Sequence, residues 1–358
     1  MITKEQVLQA LSHVEEPDLK KDLVTLRMIE NIEISPGKLS FQVVLTTPAC
    51  PLKDFIERAC RNAIAHFIDK DLQVTIHMIS RVASQKDGQL ANIKNIVLVA
   101  SGKGGVGKST VAANLALALS MSGAQVGLID ADIYGPSMPI MFGLEGARPK
   151  ASQSADGKSR IAPIEKYGIK LLSIGFFTDP NQPVPWRGPM VSTAVKQLFN
   201  DADWGELDYL IVDLPPGTGD IHITVAQTYP ITGAVVVTTP QNVALADAHK
   251  GVGLFLMNPI NIPLLGVIEN MAYFTPAELP ENKYYIFGKG GGKRLAEYYD
   301  VPFLGEIPLV KGISDAGDNG MPIVLDDDSP LAFSFKEIAG KVAQQISILQ
   351  AIPKLSPV

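Results

Sequence analysis

The sequence predicts an α/β protein: a mostly parallel sheet covered by helices, preceded by a small α+β domain. Two observations carry this. From Asn95 onward, short apolar runs (NIVLVA, VGLID, YLIVD, GAVVVTT, LLGVIEN) alternate with helical patterns across Gly- or Pro-rich turns. Continuous apolar strands alternating with helices belong to a parallel sheet buried on both faces. Residues 1–85 have a different character, with half-buried alternation and amphipathic helices. A length of 358 residues fits such a division, at about 150 residues per domain.

In chain order, the first domain reads α-β-β-α-β. EQVLQALSHV has helical spacing, and MIENIEIS and KLSFQVVLTT alternate around a Pro36-Gly37 turn. PLKDFIERACRNAIAHFI places Leu52, Phe55, Ile56, Ala59, Cys60, Ala63, Ile64 and Phe67 on one helical face. LQVTIHMIS is the third strand. Residues 86–94, within the polar segment ASQKDGQLANIK, form the expected linker, and the second domain spans 95–358. Inside it, the polar stretch ARPKASQSADGKSR at 147–160 reads as a loop, and Asp326 to Asp328 as a solvated turn.

Composition excludes several function classes. With 31 basic and 37 acidic residues, the net charge of −6 argues against coating nucleic acid through bulk positive charge. Two cysteines, Cys50 and Cys60, cannot build a disulfide framework, and the count fits a reducing compartment. No apolar run approaches the ~18 residues of a bilayer span, and the polar N-terminus has no signal-like apolar region. The expectation is a cytoplasmic protein without nucleic-acid or membrane partners.

The strongest motif follows the strand NIVLVA. SGKGGVGKST leads into the helix VAANLALALS and contains G-x-x-x-x-G-K-S from Gly102 to Ser109. Glycines let backbone N–H groups curl around phosphate oxygens, and the helix presents its positive end. This is a P-loop, so the second domain is expected to be a P-loop NTPase. Gly102, Lys103, Gly104, Gly105, Val106, Gly107, Lys108, Ser109 and Thr110 would cradle the nucleotide. Lys108 would reach the β- and γ-phosphates and Ser109 would place its hydroxyl on Mg²⁺. YLIVD delivers Asp213, a Walker B carboxylate that would hold Mg²⁺ through water or Ser109. It continues as LPPGTGD, whose glycines suit a loop that reorganises around a γ-phosphate. The strand VGLID ends in Asp130, and Asp132 lies just past it. Asp132 is assigned to orienting the attacking water and Asp130 to a structural or metal-shell role; simple turn capping is the alternative for both. Asn270, ending LLGVIEN, reads the base edge or is a plain turn residue. His222 in GTGDIHIT reads as helix packing, with nucleotide sensing as the alternative.

Taken together, SGKGGVGKST, DADIYGPS, DLPPGTGD, TTPQNVALADAHKG and VIENMAYF closely resemble the Mrp/ApbC-type P-loop ATPases, relatives of MinD, ParA and the nitrogenase iron protein. The resemblance covers residues 95 to about 345. EEPDL at 15–19 and LTTPACP at 45–51 are similar to the iron–sulfur-assembly domain fused before such ATPases. The resemblance implies ATP as nucleotide and an iron–sulfur carrier that loads apoproteins or works with assembly factors. It also implies a homodimer, with Lys103 as the deviant Walker A lysine reaching phosphate across the interface. The segment VPWRGPM, with Trp186 and Arg187, resembles a region near the dimer or partner surface. The family's usual cluster ligands are a C-x-x-C pair after E-N-M. Here that region reads ENMAYFTPAELPENKYYIFGKGGG and has no cysteine. Thiolates are the normal cluster ligands, and Glu278, Tyr284 and Tyr285 cannot simply replace them.

Cysteine chemistry therefore falls to the first domain. Cys50 precedes Pro51, and proline favours the first helical position, so Cys50 is expected at a helix N-cap with a lowered thiol pKa. It is the candidate iron–sulfur ligand, an ordinary buried residue being the alternative. Cys60, on the apolar helix face about 15 Å away along the axis, reads as structural. Three functional readings remain: an ATP-hydrolysing cluster carrier with slow, switch-like turnover; a nucleotide-gated scaffold that binds no cluster; and a MinD/ParA-like positioning ATPase. FKEIAGKVAQQISILQAI has too few basic residues for a convincing membrane-surface helix, which disfavours the third.

Overall fold

The computed structural model describes residues 2–82, 90–153, 159–179, 185, 188–276, 278–279 and 281–351. Residues 86–89 of the expected linker, with Trp186 and Arg187, lie outside the described residues. The chain divides into two compact units, residues 1–83 together with 343–358, and residues 84–342. The expectation of a second domain running to 358 differs here: the last residues group with the first unit, where the Gln344 amide donates to Asp18 Oδ1 at 2.6 Å.

The smaller unit follows the expected order. Its first helix, Lys4–Leu11, starts at Thr3, whose hydroxyl accepts from Gln6 N while the Gln6 side chain accepts from Thr3 N. The strands Ile29–Ser35 and Lys38–Leu45 pair antiparallel around Gly37, which takes a φ of +74°. Lys38–Leu45 then pairs parallel with Gln73–Ser80, across the helix Lys53–Phe67. That helix buries Ile56, Cys60, Ala63 and Ile64 against Val7, Leu11 and Phe41. Its apolar face is narrower than the sequence suggests: Phe55 and Phe67 are 49% and 50% exposed. A two-residue strand pair, Glu15–Glu16 with Lys21–Asp22, has no signature in the alternation.

The larger unit holds an eight-stranded sheet. From edge to edge its strands are Ile164–Lys166, Ile169–Ser173, Val126–Asp130, Leu207–Asp213, Ile93–Ala100, Gly233–Thr238, Leu264–Phe274 and Phe303–Leu309. Only the first is antiparallel; the other seven are parallel. Val126–Asp130 and Gly233–Thr238 are buried at every position, as a doubly covered sheet demands. The helix Lys108–Met121 is apolar all round and buried from Val111 to Leu119. Part of the stretch expected as a loop is paired: Lys150–Gln153 runs antiparallel to Ser159–Ala162. Asp327 and Asp328 lie in a turn, as expected, and Asp327 accepts from Lys336 Nζ at 2.6 Å.

Register sets the chemistry. Asp213 and Asp130 are direct partners across neighbouring parallel strands, and Asp213 also pairs with Val99, two residues before the P-loop begins. Two carboxylates and the glycine loop thus meet at the carboxyl ends of three adjacent strands, where open α/β sheets place their ligands.

Candidate functional site

The strand Ile93–Ala100 runs into a loop that ends at Gly107, the N-cap of the helix Lys108–Met121. Gly105 and Gly107 take φ values of +80° and +79°, which L side chains rarely adopt. Gly102 is required for a different reason. Its Cα lies against the helix Asn242–Leu256, and a Cβ there would overlap the Asp247 carbonyl group. The Ser101 carbonyl accepts from Gly217 N at 2.8 Å, so the loop following Asp213 is tied to the P-loop.

Lys108 and Asp213 form the centre. Lys108 Nζ donates to Asp213 Oδ1 at 2.6 Å, and Ser109 Oγ donates to Asp213 Oδ2 at 2.6 Å. The ammonium is also 3.8 Å from Asp132 Oδ2. Lys108 is buried, and Asp213 has no exposed surface. Burial pushes the Asp213 carboxyl above the ordinary carboxylate range, with Lys108 and Ser109 opposing. Burial raises Asp132 as well, again opposed by Lys108. Asp130 is pushed up to about 7 by burial and then by the neighbouring Asp213 charge. Its oxygens accept from Met138 N at 3.1 Å, Ser173 Oγ at 2.8 Å and Asp132 N at 3.3 Å. Asp130 therefore braces the turn that carries Asp132.

A cavity of about 400 Å³ opens over this cluster, lined by Lys103, Lys108, Ser109, Thr110 and Asp132. Its far wall, Ile313, Ser314 and Asp318, comes from the helix Lys311–Asp318, which no sequence motif marked. Lys103 is exposed and carries no ion pair among the described residues. Asn270 does not line the cavity. It lies beneath the loop, its Nδ2 donating to the Val106 carbonyl at 2.8 Å. A second cavity, about 580 Å³, shares Asp132, Gly135 and Pro216 with the first and is lined by His222. His222 is buried, and neither ring nitrogen has a hydrogen bond of normal geometry. Burial lowers its pKa to about 4, the Lys108 charge adds to that, and the Gly219 and Pro215 backbone opposes it. A larger cavity, about 1130 Å³, lies in the smaller unit beside His13 and Phe67. It lacks a convergent set of charges, so chemistry belongs to the smaller P-loop cavity.

The donor set fits Mg²⁺: a hydroxyl and a carboxylate oxygen 2.6 Å apart are the hard ligands that ion takes. The thiols fit a metal cargo less well. The helix begins at Lys53 with Leu52 as N-cap, so Cys50 precedes the cap and lacks the expected thiolate-stabilising position. Partial burial raises its thiol pKa, the charges of Glu16 and Asp18 add to that, and the Leu52 amide and Lys53 oppose it. Cys60 is fully buried and pushed up to about 12, as a structural cysteine should be. Among the described residues no group of three or more His, Cys, Asp or Glu side chains is placed to hold a metal. None of the described helices is long and apolar enough to cross a membrane.

A glycine loop between a central parallel strand and a helix, with lysine, serine and aspartate converging on one cavity, defines a P-loop nucleotide-binding protein. Residues 92–343 match the family described as NUBPL iron-transfer P-loop NTPase, and residues 4–76 match that described as iron–sulfur cluster assembly protein. The chain belongs to this iron-transfer P-loop NTPase family, with the assembly-type domain at its front. Its relatives include the iron–sulfur cluster carrier protein of Synechocystis sp., 45% identical over 97% of this chain and 99% of the relative. The carrier protein of Deinococcus radiodurans is 46% identical, covering 98% and 99% respectively. Among solved structures, an Archaeoglobus fulgidus nucleotide-binding protein in complex with ADP is 36% identical, with a TM-score of 0.57. That match covers 68% of this chain and 93% of the other.

Proposed function

We propose that this protein is an ATP-hydrolysing iron–sulfur cluster carrier that delivers clusters to apoproteins in the cytoplasm. The observation that carries the nucleotide half is the convergence of Lys108, Ser109, Asp213 and Asp132 on one cavity. The cargo half rests on the family and on relatives named as carriers.

Lys108 now neutralises Asp213 and, with triphosphate present, would move its ammonium to the β- and γ-phosphates. Ser109 and Asp213 would hold Mg²⁺, which supplies charge neutralisation on the phosphate oxygens. Asp132, at the cavity wall and braced through Asp130, orients the attacking water. Lys103 projects from the loop and is assigned to phosphate contact across a homodimer. The Gly217–Ser101 hydrogen bond lets the loop after Asp213 follow the P-loop, coupling hydrolysis to a change of shape. Turnover is slow, because a switch needs a long-lived ATP state; hydrolysis at hundreds per second would contradict it.

For the cargo, Cys50 is the one thiol with any exposure, so one cysteine per protomer would meet the cluster. A second reading, a nucleotide-gated scaffold that binds no cluster, is favoured by the lack of any thiol in the ATPase domain. Anaerobic reconstitution with iron and sulfide, on wild type and Cys50→Ser, separates them. Iron retained by wild type and lost in the variant supports carriage through Cys50. Full retention in the variant removes Cys50 as ligand, and no retention in wild type favours the scaffold.

A further inference from the structure

We infer that His222 is a positioning residue for ATP hydrolysis: its ring anchors water in the cavity beside the P-loop, and that water leads to Asp132. The inference rests on the reading of the P-loop cavity as the hydrolytic site and of Asp132 as the group that orients the attacking water. Three observations lead to it. First, the cavity of about 580 Å³ meets the P-loop cavity at Asp132, Gly135 and Pro216, so one carboxylate borders both. Second, that cavity is bounded by the loops that follow two neighbouring strands, Val126–Asp130 and Leu207–Asp213. The first turns of the helices Gly188–Asn200 and Asp220–Thr228 close its other sides. Third, His222 lines it at 2% exposure, and neither ring nitrogen makes a hydrogen bond of normal geometry among the described residues.

Ring chemistry decides what the histidine can hold. Burial keeps the imidazole neutral, with one N–H and one bare nitrogen. The Pro215 and Gly219 backbone beside it favours the protonated ring, as carbonyl oxygens do, and carbonyls serve only the N–H. The bare nitrogen needs a donor, and a buried acceptor left without one is costly. Water is a donor of the right size. Ordered water needs about two to four polar partners, and the His222 ring and the Asp132 carboxylate offer them in one cavity. The walls at Val191, Ile221 and Pro216 are apolar, so water is held at those polar ends. The place also suits the reaction. Attack on a γ-phosphate is in line, so the water stands beyond the phosphate. The rim shared by the two cavities belongs to the loops after Asp130 and Asp213, not to the P-loop.

The test is steady-state phosphate release with ATP and Mg²⁺. His222→Phe keeps a ring and removes both nitrogens. Its kcat is expected to fall about tenfold, the scale of one hydrogen bond, with KM for ATP unchanged. His222→Gln keeps a donor and an acceptor and should recover most of that loss. Added to Asp132→Asn, His222→Phe should cost little more, because the two residues act through the same water. Nuclear magnetic resonance of isotope-labelled ring nitrogens in wild type carries the test if the phenylalanine variant does not fold. The bare His222 nitrogen is expected at the shift of a hydrogen-bonded imidazole, and the shift of an unbonded one would overturn the inference. An unchanged kcat in His222→Phe, full additivity with Asp132→Asn, or a glutamine variant as slow as the phenylalanine one would also overturn it. Wild-type protein that releases no phosphate would overturn the hydrolytic reading itself, and the inference with it.

Discussion

The P-loop cluster and the surroundings of Cys50 are built on opposite principles. At the P-loop, charge is buried in advance: Asp213 is fully enclosed against Lys108, Asp130 is held by three donors, and Asp132 stands at the wall. Such groups are costly to bury and keep their geometry only as a set. Around Cys50 the opposite holds. The thiol is half-buried two residues before the helix cap, and burial with its acidic neighbours outweighs the Leu52 amide and disfavours the thiolate. One region is prepared for its ligand before it arrives. The other has no such preparation, and a Cys50 thiolate would form there only if a bound metal drew off the proton. The charged cluster at the P-loop is thus assembled within the single chain, whereas nothing comparable is assembled around Cys50.

Removing the P-loop cation is the strongest way to break this contrast. Lys108→Ala should lower ATP hydrolysis by at least ~100-fold and cost about 3–5 kcal/mol by stranding Asp213. Adding Asp213→Asn should restore part of that stability and none of the activity. Thermal unfolding and phosphate release measure the two effects separately; equal stability of single and double variants would remove the buried pair from the account.

His222 sharpens the contrast through pH. Its folded pKa, about 4, lies below the unfolded value near 6.5, so the unfolded chain takes up its proton first as pH falls. Its contribution to stability is complete above about 6.5 and is lost on acidification through pH 4, about 3 kcal/mol in all. Asp130, raised to about 7, works in the other direction, losing stability as pH rises from its ordinary range toward 7. The difference in urea midpoint between wild type and His222→Gln, followed from pH 7 to pH 4, isolates the histidine. Parallel curves would refute its neutral burial.

Gly102→Ala tests how tightly the loop is seated. The added methyl meets the Asp247 backbone, so the loop must shift, at about 1–3 kcal/mol and with weakened ATP binding. Unchanged affinity would mean the helix Asn242–Leu256 gives way instead. The smallest effect concerns thiols. In native protein, iodoacetamide should modify Cys50 slowly and leave Cys60 intact, both reacting after denaturation, as read by intact mass. Rapid native labelling at Cys50 would put it in the prepared class after all.

The parts legible in sequence are those where one residue type has one use. Gly102 to Ser109 could be read because a strand, a glycine loop and a helix follow one another without interruption. Asp213 could be read because four apolar residues precede it. What resisted reading depends on partners distant in the chain. The placement of Asn270 depends on the Val106 carbonyl, 164 positions away. The cavity wall at Ile313 to Asp318 has no local signature. Ser173 became visible only once the strand Ile169–Ser173 lay against Val126–Asp130. Cys50 was misplaced by a rule that is right about proline: Pro51 stands near the helix start, but the cap falls one residue later, at Leu52.

The large sheet carries its own terminators. Its parallel neighbours are brought together over long stretches of chain, which makes assembly slow and leaves strand edges open meanwhile. One edge is only three residues long, with Glu165 and Lys166 on it; the other contains Pro308, which has no N–H to offer an incoming strand. Pairing with a stranger is thus blunted at both ends. Replacing Glu165 and Lys166 with valine would leave the nucleotide chemistry untouched and show its damage first as inclusion bodies.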